Sequence, residues 1–346
     1  MEIAQARGQL DALWQRGARF LGSKTAIMGG AMTWVSERHL VSAISNAGGF
    51  GVLACGSMPP DKLAEEIRGT FALTDKPFGV NLIVMHPQLA DLVEVCIAEK
   101  VTHVVLAGGM PGAQVMGRLK EAGCKLLCFA PALVIAKKLV KQGADAIVVE
   151  GMEAGGHIGP ITTSVLAQEI LPVLREVPVF VAGGIGRGEA ILAYLEMGAA
   201  GVQLGTRFVC ATESIAHPKF KQAFIRASAR DAMPSVQLDP LFPVIPVRAL
   251  NNKATASFMA TQREVIDLYR AGKIDQKEAQ LKIEHFWAGA LRRAVVDGDV
   301  ESGSLMAGQS VGMVTREQST AAIIAELIDQ AVAALAARHN APEAAE

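Results

Sequence analysis

Residues 147–159 read IVVEGMEAGGHIG. A β-branched run ends in Glu150, and a second acid, Glu153, four glycines and His157 follow. Histidine is the side chain best suited to proton transfer near neutral pH. Glycine on either side would let a ligand lie flat and close against the backbone. Glu150 and Glu153 flank the histidine and either orient it or face solvent. A lone histidine is usually structural, so the weight of the chemical reading rests on which element carries it.

Similar glycine-rich stretches follow other short apolar runs. They are GGAM (29–32), which contains Gly30 and Met32, GSM (56–58), GGMPG (108–112), GGIGRG (183–188) with Gly183 and Gly184, and QLGTRF (203–208) with Gln203, Gly205 and Thr206. Asn81 sits inside an apolar run, where a buried amide needs partners, from the core or from the edge of a heterocycle. Gln203 raises the same question.

The elements that must position these residues are visible as an alternation. Strand candidates are TAIMG (25–29), FGVLAC (50–55), FGVNLIV (78–84), HVVLAG (103–108), KLLCFA (125–130), AIVVEG (146–151), VFVAGG (179–184) and GVQLGT (201–206). Amphipathic segments separate them at 36–47, 61–71, 88–99, 114–122, 134–142, 164–175 and 188–197. Gly123, Gly143 and Gly198 suit helix C-termini. Continuous apolar strands alternating with helices mean a parallel sheet covered by helices. About eight such units predict an α/β fold of the (β/α)8 TIM-barrel type, with an open doubly wound sheet as the alternative. The rhythm stops after Gly205. Residues 213–305 are expected to form a mostly helical insertion after the eighth strand that covers the active site, so that 1–212 and 306–346 make the barrel. A helix over 317–337 would complete it, and the tail NAPEAAE (340–346) would fray.

Composition narrows the classes. The chain has 346 residues, 51% of them hydrophobic, and a formal net charge of −1. Nucleic-acid binding has no electrostatic support. Mean hydropathy is +0.30, yet no stretch gives ~18 consecutive apolar residues, so no membrane span is predicted. The N-terminal 21 residues mix charges and read as an amphipathic helix rather than a signal peptide. Five cysteines without a CxxC or Cys/His cluster read as reduced thiols of a cytoplasmic protein rather than a metal site.

Barrel active sites lie at the C-terminal ends of the strands, and the loops after the seventh and eighth strands recur as a phosphate site. The Gly183-Gly184 pair and the Gly205-Thr206 stretch both precede helices and would cradle one phosphate with backbone N–H groups, Thr206 adding its hydroxyl. His157 falls on the loop after the sixth strand, at the same rim. Among the other histidines, His39 and His86 lie near helix starts, His103 begins a strand at the wrong end, and His217, His285 and His339 lie outside the barrel core. No HExxH, GxSxG or first-strand GxGxxG occurs, which disfavours zinc hydrolysis, serine acyl transfer and a Rossmann dinucleotide site.

EGMEAGGHIG (150–159), VAGGIGRG (181–188), VQLGTRF (202–208) and DGDVESGSLMAGQ (297–309), with KPFGVN (76–81) and MTWVS (32–36), resemble the nitronate monooxygenase family. They are equally similar to its relatives, the flavin-dependent enoyl-acyl-carrier-protein reductases. The resemblance spans nearly the whole chain and implies an FMN-binding barrel. It implies that Asn81 binds the flavin ring and that Gly183, Gly184, Gly205 and Thr206 hold the FMN phosphate. Gln203, with Gly30, Met32 and Glu150, would line the flavin pocket. Gly155 and Gly156 would bring backbone near the flavin, with His157 as acid/base over the substrate. There is one departure: many relatives carry Gln shortly before the early Met, where this chain has Gly29.

Three chemistries fit such a scaffold. A nitronate monooxygenase oxidises an alkyl nitronate with O2 to a carbonyl compound and nitrite, and this reading stands slightly ahead on sequence. An enoyl thioester reductase uses NADH or NADPH as electron donor, with His157 protonating the developing enolate. An NADH:quinone reductase follows the same logic. From another class, a flavin-binding scaffold without activity is the remaining alternative. The apolar stretch PLFPVIPV (240–247) would wall an acyl chain or merely pack. The apolar insertion would also suit a homodimer.

Overall fold

The computed structural model describes residues 1–56, 58–239 and 245–339, the side chains of Glu284 and His339 excepted. The expected tail 340–346, Ser57 of GSM, and residues 240–244 of PLFPVIPV lie outside the described residues.

Eight parallel strands close into a barrel. They are β1 (Ile27–Gly29), β2 (Phe50–Ala54), β3 (Gly79–Ile83), β4 (His103–Ala107), β5 (Lys125–Phe129), β6 (Ala146–Glu150), β8 (Val179–Ala182) and β9 (Gly201–Leu204), β9 pairing back onto β1. Each falls inside an expected run; β1 ends with its run at Gly29, and the others stop one or two residues sooner. The strands are almost wholly buried, as expected of a parallel sheet covered on both faces. The seventh strand in chain order, β7 (Gly156–His157), lies outside the barrel.

The covering helices are α3 (Arg38–Asn46), α4 (Pro60–Leu73), α5 (Leu89–Ala98), α6 (Ala113–Glu121), α7 (Leu133–Lys141), α8 (Thr163–Ile170), α9 (Gly188–Glu196) and α14 (Thr320–His339). Gly123, Gly143 and Gly198 take φ of +84°, +105° and +105° just past their helices, the left-handed C-terminal turn that glycine adopts without steric cost. Helix α14 is long and apolar enough to cross a membrane by length and composition. Half of that span is buried, packed on α9 and on the N-terminal helix α1 (Ile3–Leu13).

The N-terminal segment forms two helices, α1 and α2 (Gln15–Leu21). Helix α2 plugs the N-terminal end of the barrel. Gly17 lets it approach so closely that a Cβ there would lie 2.0 Å from the Ala200 carbonyl oxygen. Phe20 packs edge-on against His103 and tilted against Phe180. His103 therefore belongs to the barrel's floor. Its Nε2 lies 3.0 Å from the Phe20 carbonyl oxygen, and its Nδ1 2.9 Å from the Thr102 hydroxyl. A carbonyl can only accept, so Nε2 carries a proton.

Residues 213–305 are not purely helical. They hold α11 (Pro218–Arg226), α12 (Lys253–Arg270) and α13 (Gln276–Val295), but also β10 (Ala232–Pro234) and β11 (Val247–Leu250). The two strands pair antiparallel, and β11 pairs onward with β7. One part of this segment has a core of its own, built on Val247, Phe258, Val265, Ile283 and Trp287. Another part, with Phe220, Phe224, Leu291 and Val295, belongs to the barrel's core. The segment is thus welded to the barrel rather than hinged on it.

Burial holds the His103 ring neutral, its pKa lowered from 6.5 to about 4. The unfolded chain takes up this proton below pH 6.5, whereas the folded chain resists until about pH 4, so acid favours unfolding across that window. Denaturant titrations should show up to roughly 3 kcal/mol of stability lost between the two pH values, and a smaller loss in His103→Phe.

Candidate active site

The barrel mouth opens into a cavity of about 430 Å³. The residues expected to meet flavin or substrate line it: Gly30, Met32, Asn81, Glu150, Gly155, Gly156, His157, Gly183, Gly184, Gln203, Gly205 and Thr206. These residues come from five barrel strands, β1, β3, β6, β8 and β9, and the segments that follow them.

The floor is the inward-facing row of the sheet. Asn81 on β3 is buried and donates from Nδ2 to the Val105 carbonyl, 3.2 Å away on β4. Its side-chain oxygen, the Gln203 amide and the Glu150 carboxyl make no hydrogen bond with the described residues. Gly30 leaves the room that Gln203 fills, since a Cβ there would lie 3.1 Å from Nε2. Gly29 is not part of the cavity. A Cβ at Gly29 would meet Ile44 Cδ1 of α3 at 2.5 Å, so the position where many relatives carry Gln faces a helix here.

Glu150 ends β6 with its carboxyl at the cavity and no cation beside it. Burial pushes its pKa up from 4.5 to about 8. A carboxyl in that state is a hydrogen-bond donor at neutral pH, not only an acceptor. Glu153 has a different task. Its Oε2 accepts from the Thr163 N–H and hydroxyl, both at 2.9 Å, which holds the turn after β6 to the start of α8.

His157 lies in the segment after β6 and at the rim, where it was expected, and that segment there forms a short strand. It lies in β7, opposite Val247 of β11, and the Ile158 N–H donates to the Pro246 carbonyl at 2.9 Å. The glycines around it also have a different reason from the one expected. A Cβ on Gly155 would lie 2.5 Å from the Gly308 nitrogen, and one on Gly151 would lie 2.0 Å from Thr163 Oγ1. They allow chain to pack on chain, while the cavity face of Gly155 and Gly156 stays open. Gly156 adopts φ +82°.

The two phosphate-site motifs converge on one side of the cavity, with a change of detail. Gly183 and Gly184, at φ +95° and +72°, form a turn of their own. Helix α9 starts later, and its first N–H, on Gly188, is taken by Gln330 Oε1 at 2.9 Å. The turn, rather than the first N–H of that helix, lines the cavity. Gly205 does directly precede a helical turn, α10 (Thr206–Val209). The Thr206 hydroxyl accepts from the Gly308 N–H at 3.0 Å, which leaves its own proton to donate into the cavity.

The insertion covers the cavity, as expected of it; which of its residues form the roof was not legible in the sequence. Trp287, Ala288 and Leu291 present one face of α13 to the cavity, with Ile245, Met85 and Met306 beside them. The spacing on α13 marks an apolar face, but nothing local says which cavity that face covers. Loop 306–308 carries part of the MAGQ motif, quoted without a role, and it lies against Gly155 and Thr206.

The residues fit a flavin. Glycine-lined walls, unpartnered amide and carboxyl groups on the floor and an anion-compatible turn suit a flat, polar-edged heterocycle with a phosphate. Fold and site together define an enzyme on a (β/α)8 barrel whose reactive groups gather where the strands end. The chain belongs to the nitronate monooxygenase family, whose profile matches residues 16–96 and 90–330, and it is a flavin-dependent oxidoreductase. The solved structure of FabK from Thermotoga maritima is 35% identical and superposes with a TM-score of 0.82, covering 94% of this chain and 98% of that one. A (3aS,4S,5R,7aS)-5-hydroxy-7a-methyl-1-oxo-octahydro-1H-indene-4-carboxyl-CoA dehydrogenase of Mycobacterium tuberculosis is 32% identical over 341 residues, 90% of this chain and 94% of that protein. A nitronate monooxygenase of Paraburkholderia phytofirmans is 33% identical over 261 residues, 61% of this chain and 70% of its own.

Gly155→Ala should cost about 1–3 kcal/mol by overpacking and weaken flavin retention. Gly159→Ala, where a Cβ meets nothing within 4 Å, should stay within roughly 0.5 kcal/mol of the parent. Thermal melts and flavin absorbance of the two variants check this. Glu150 predicts a second pH effect. The folded protein keeps its proton up to about pH 8, while the unfolded chain loses it near 4.5. The ligand-free protein should therefore lose stability as pH rises through that window, and Glu150→Gln should flatten the loss.

Proposed function

We propose that this protein is an FMN-dependent enzyme that transfers hydride to or from an acyl thioester, with NADH or NADPH as the partner donor or acceptor. The observation that carries this reading is the roof. A helix face of Trp287, Ala288 and Leu291, extended by Ile245 and Met85, covers a polar, glycine-lined floor. An apolar acyl group is the substrate that such a roof would bury. The carboxyl-CoA dehydrogenase among the relatives is named for a thioester, which supports the same class.

In this reading Asn81, Gln203 and Glu150 meet the polar edge of the isoalloxazine, and the 183–184 turn with Gly205 and Thr206 meets the single phosphate. The flavin, when bound, supplies the two-electron step. The chain's own residues supply the rest. His157 gives a proton to, or takes one from, the carbon next to the thioester carbonyl. Glu150, protonated at neutral pH, donates a hydrogen bond on the floor. The roof orients the acyl group and excludes water.

Nitronate oxidation is the second reading. It is favoured by the family match and by the Paraburkholderia relative, and sequence alone puts it first. The five buried, unpaired cysteines accord with a cytoplasmic setting, which forms part of the proposal.

An anaerobic absorbance titration of the flavin-loaded protein separates the readings. Bleaching by NADH or NADPH, with colour restored by crotonyl-CoA, is the expected result. Reduction by an alkyl nitronate with no response to either nucleotide would replace the thioester reading with the monooxygenase. His157→Ala should lower thioester turnover about 100-fold or more, and an unchanged rate would leave the histidine without a chemical role.

A further inference from the structure

The strand that carries His157 is only two residues long, and a two-residue pairing does not hold itself in place. What holds it comes from the inserted segment. Arg248 on β11 lies opposite Gly156, one position from the His157–Val247 pair. It is a charged side chain, yet 2% exposed. Its Nε donates to the Met152 carbonyl at 2.9 Å and its Nη1 to the Ala232 carbonyl at 2.5 Å. One planar group thus ties the turn after β6 to β10, with β7 and β11 between them. Burial pulls the Arg248 pKa below its usual value, and the nearby Glu153 charge opposes that shift.

The same turn is held from its other side. The Met152 N–H donates to the Ile161 carbonyl at 2.8 Å, and the Gln309 N–H to the Glu153 carbonyl at 2.9 Å. Those bonds fix residues 152–153. Arg248 is the side chain that extends the restraint across the ribbon on which His157 stands. A guanidinium does this because it presents donors in a rigid fork to two acceptors at once, which a lysine ammonium on a flexible stem does not.

We propose that Arg248 is the positioning residue for His157: it locks the β7–β11 pairing, so that the inserted segment sets the histidine's place over the cavity. The role rests on the reading of His157 as acid/base only where turnover is concerned. The lock itself is a property of the backbone and is measured separately. Loss of the lock should be felt in the rate more than in affinity, because a displaced acid or base costs rate even where the binding walls are intact.

The test compares Arg248→Lys and Arg248→Ala with the parent as flavin-loaded protein. Hydrogen–deuterium exchange is followed for peptides covering 152–160 and 246–250, and for one within α14 as reference. Both variants should exchange at least tenfold faster in the first two peptides and unchanged in α14. With crotonyl-CoA as probe, kcat should fall about 10- to 100-fold in both variants while KM changes less than threefold. Millimolar guanidinium should restore part of kcat and of the protection in Arg248→Ala, and none in Arg248→Lys, where the lysine stem occupies the space. Unchanged exchange at 152–160 in both variants overturns the proposal whatever the rates do. Faster exchange throughout, α14 included, also overturns it, since Arg248 would then stabilise the whole fold and not this ribbon. Localised faster exchange, together with a His157→Ala rate equal to the parent's, leaves the lock standing and removes the acid/base reading instead.

Discussion

The turn after β6 lies pressed between the chain's own later segments, and much of the site follows from that crowding. Thr163 lies on one side, the 306–308 loop on another, and β11 pairs along its end. Side chains at Gly151 or Gly155 would collide with neighbouring chain. Glycine is the residue that permits this contact, and the contact brings a strand end, a distant C-terminal loop and an inserted ribbon to one wall of one cavity. Thr206 shares in it, because its hydroxyl takes the Gly308 N–H and so links β9 to the same loop.

Polarity is divided across the cavity in a way that follows from the elements. The floor belongs to strands, whose inward-facing residues near the C-terminal end can be polar because the cavity gives them room. Asn81 satisfies half of its amide within the sheet and leaves the other half to the cavity. Glu150 satisfies none of its carboxyl there, and the resulting desolvation raises its pKa into the range where both protonation states are accessible. The roof belongs to α13, a helix whose apolar face serves two masters: part of it fills the insertion's own core and part covers the barrel mouth. A flavin enzyme needs this division, since the cofactor's edge asks for hydrogen bonds while the substrate's body asks for exclusion of water.

The barrel was legible in the sequence because its signals are local. Runs such as AIVVE and GVQL are buried on both faces and so are apolar throughout. The intervening helices repeat every 3.6 residues, and Gly123, Gly143 and Gly198 mark where helices stop. Once eight strands in a closed order are granted, the rule that barrel sites lie at strand C-termini selects the rim, and Asn81, Glu150, His157, Gln203 and Thr206 fall on it together. The roles expected of some residues did not survive in the same form. Gly155 packs chain on chain as well as facing the cavity, and three residues separate the Gly183-Gly184 turn from the start of α9.

Composition and pattern by themselves determined the fold class, the rim and most of the residues that line the cavity. They also determined the family, through motifs spread from residue 32 to residue 309. Tertiary structure alone decided that the segment after β6 pairs as a strand at His157, that Arg248 braces that strand, that Glu150 has no counter-charge, and that α13 is the part of the insertion that forms the roof. The physical reason is sequence distance. His157 and Val247 pair across ninety positions, and Thr206 meets Gly308 across 102. Such contacts leave no periodicity in either segment, because each partner is specified by where the barrel carries it and not by its neighbours in the chain.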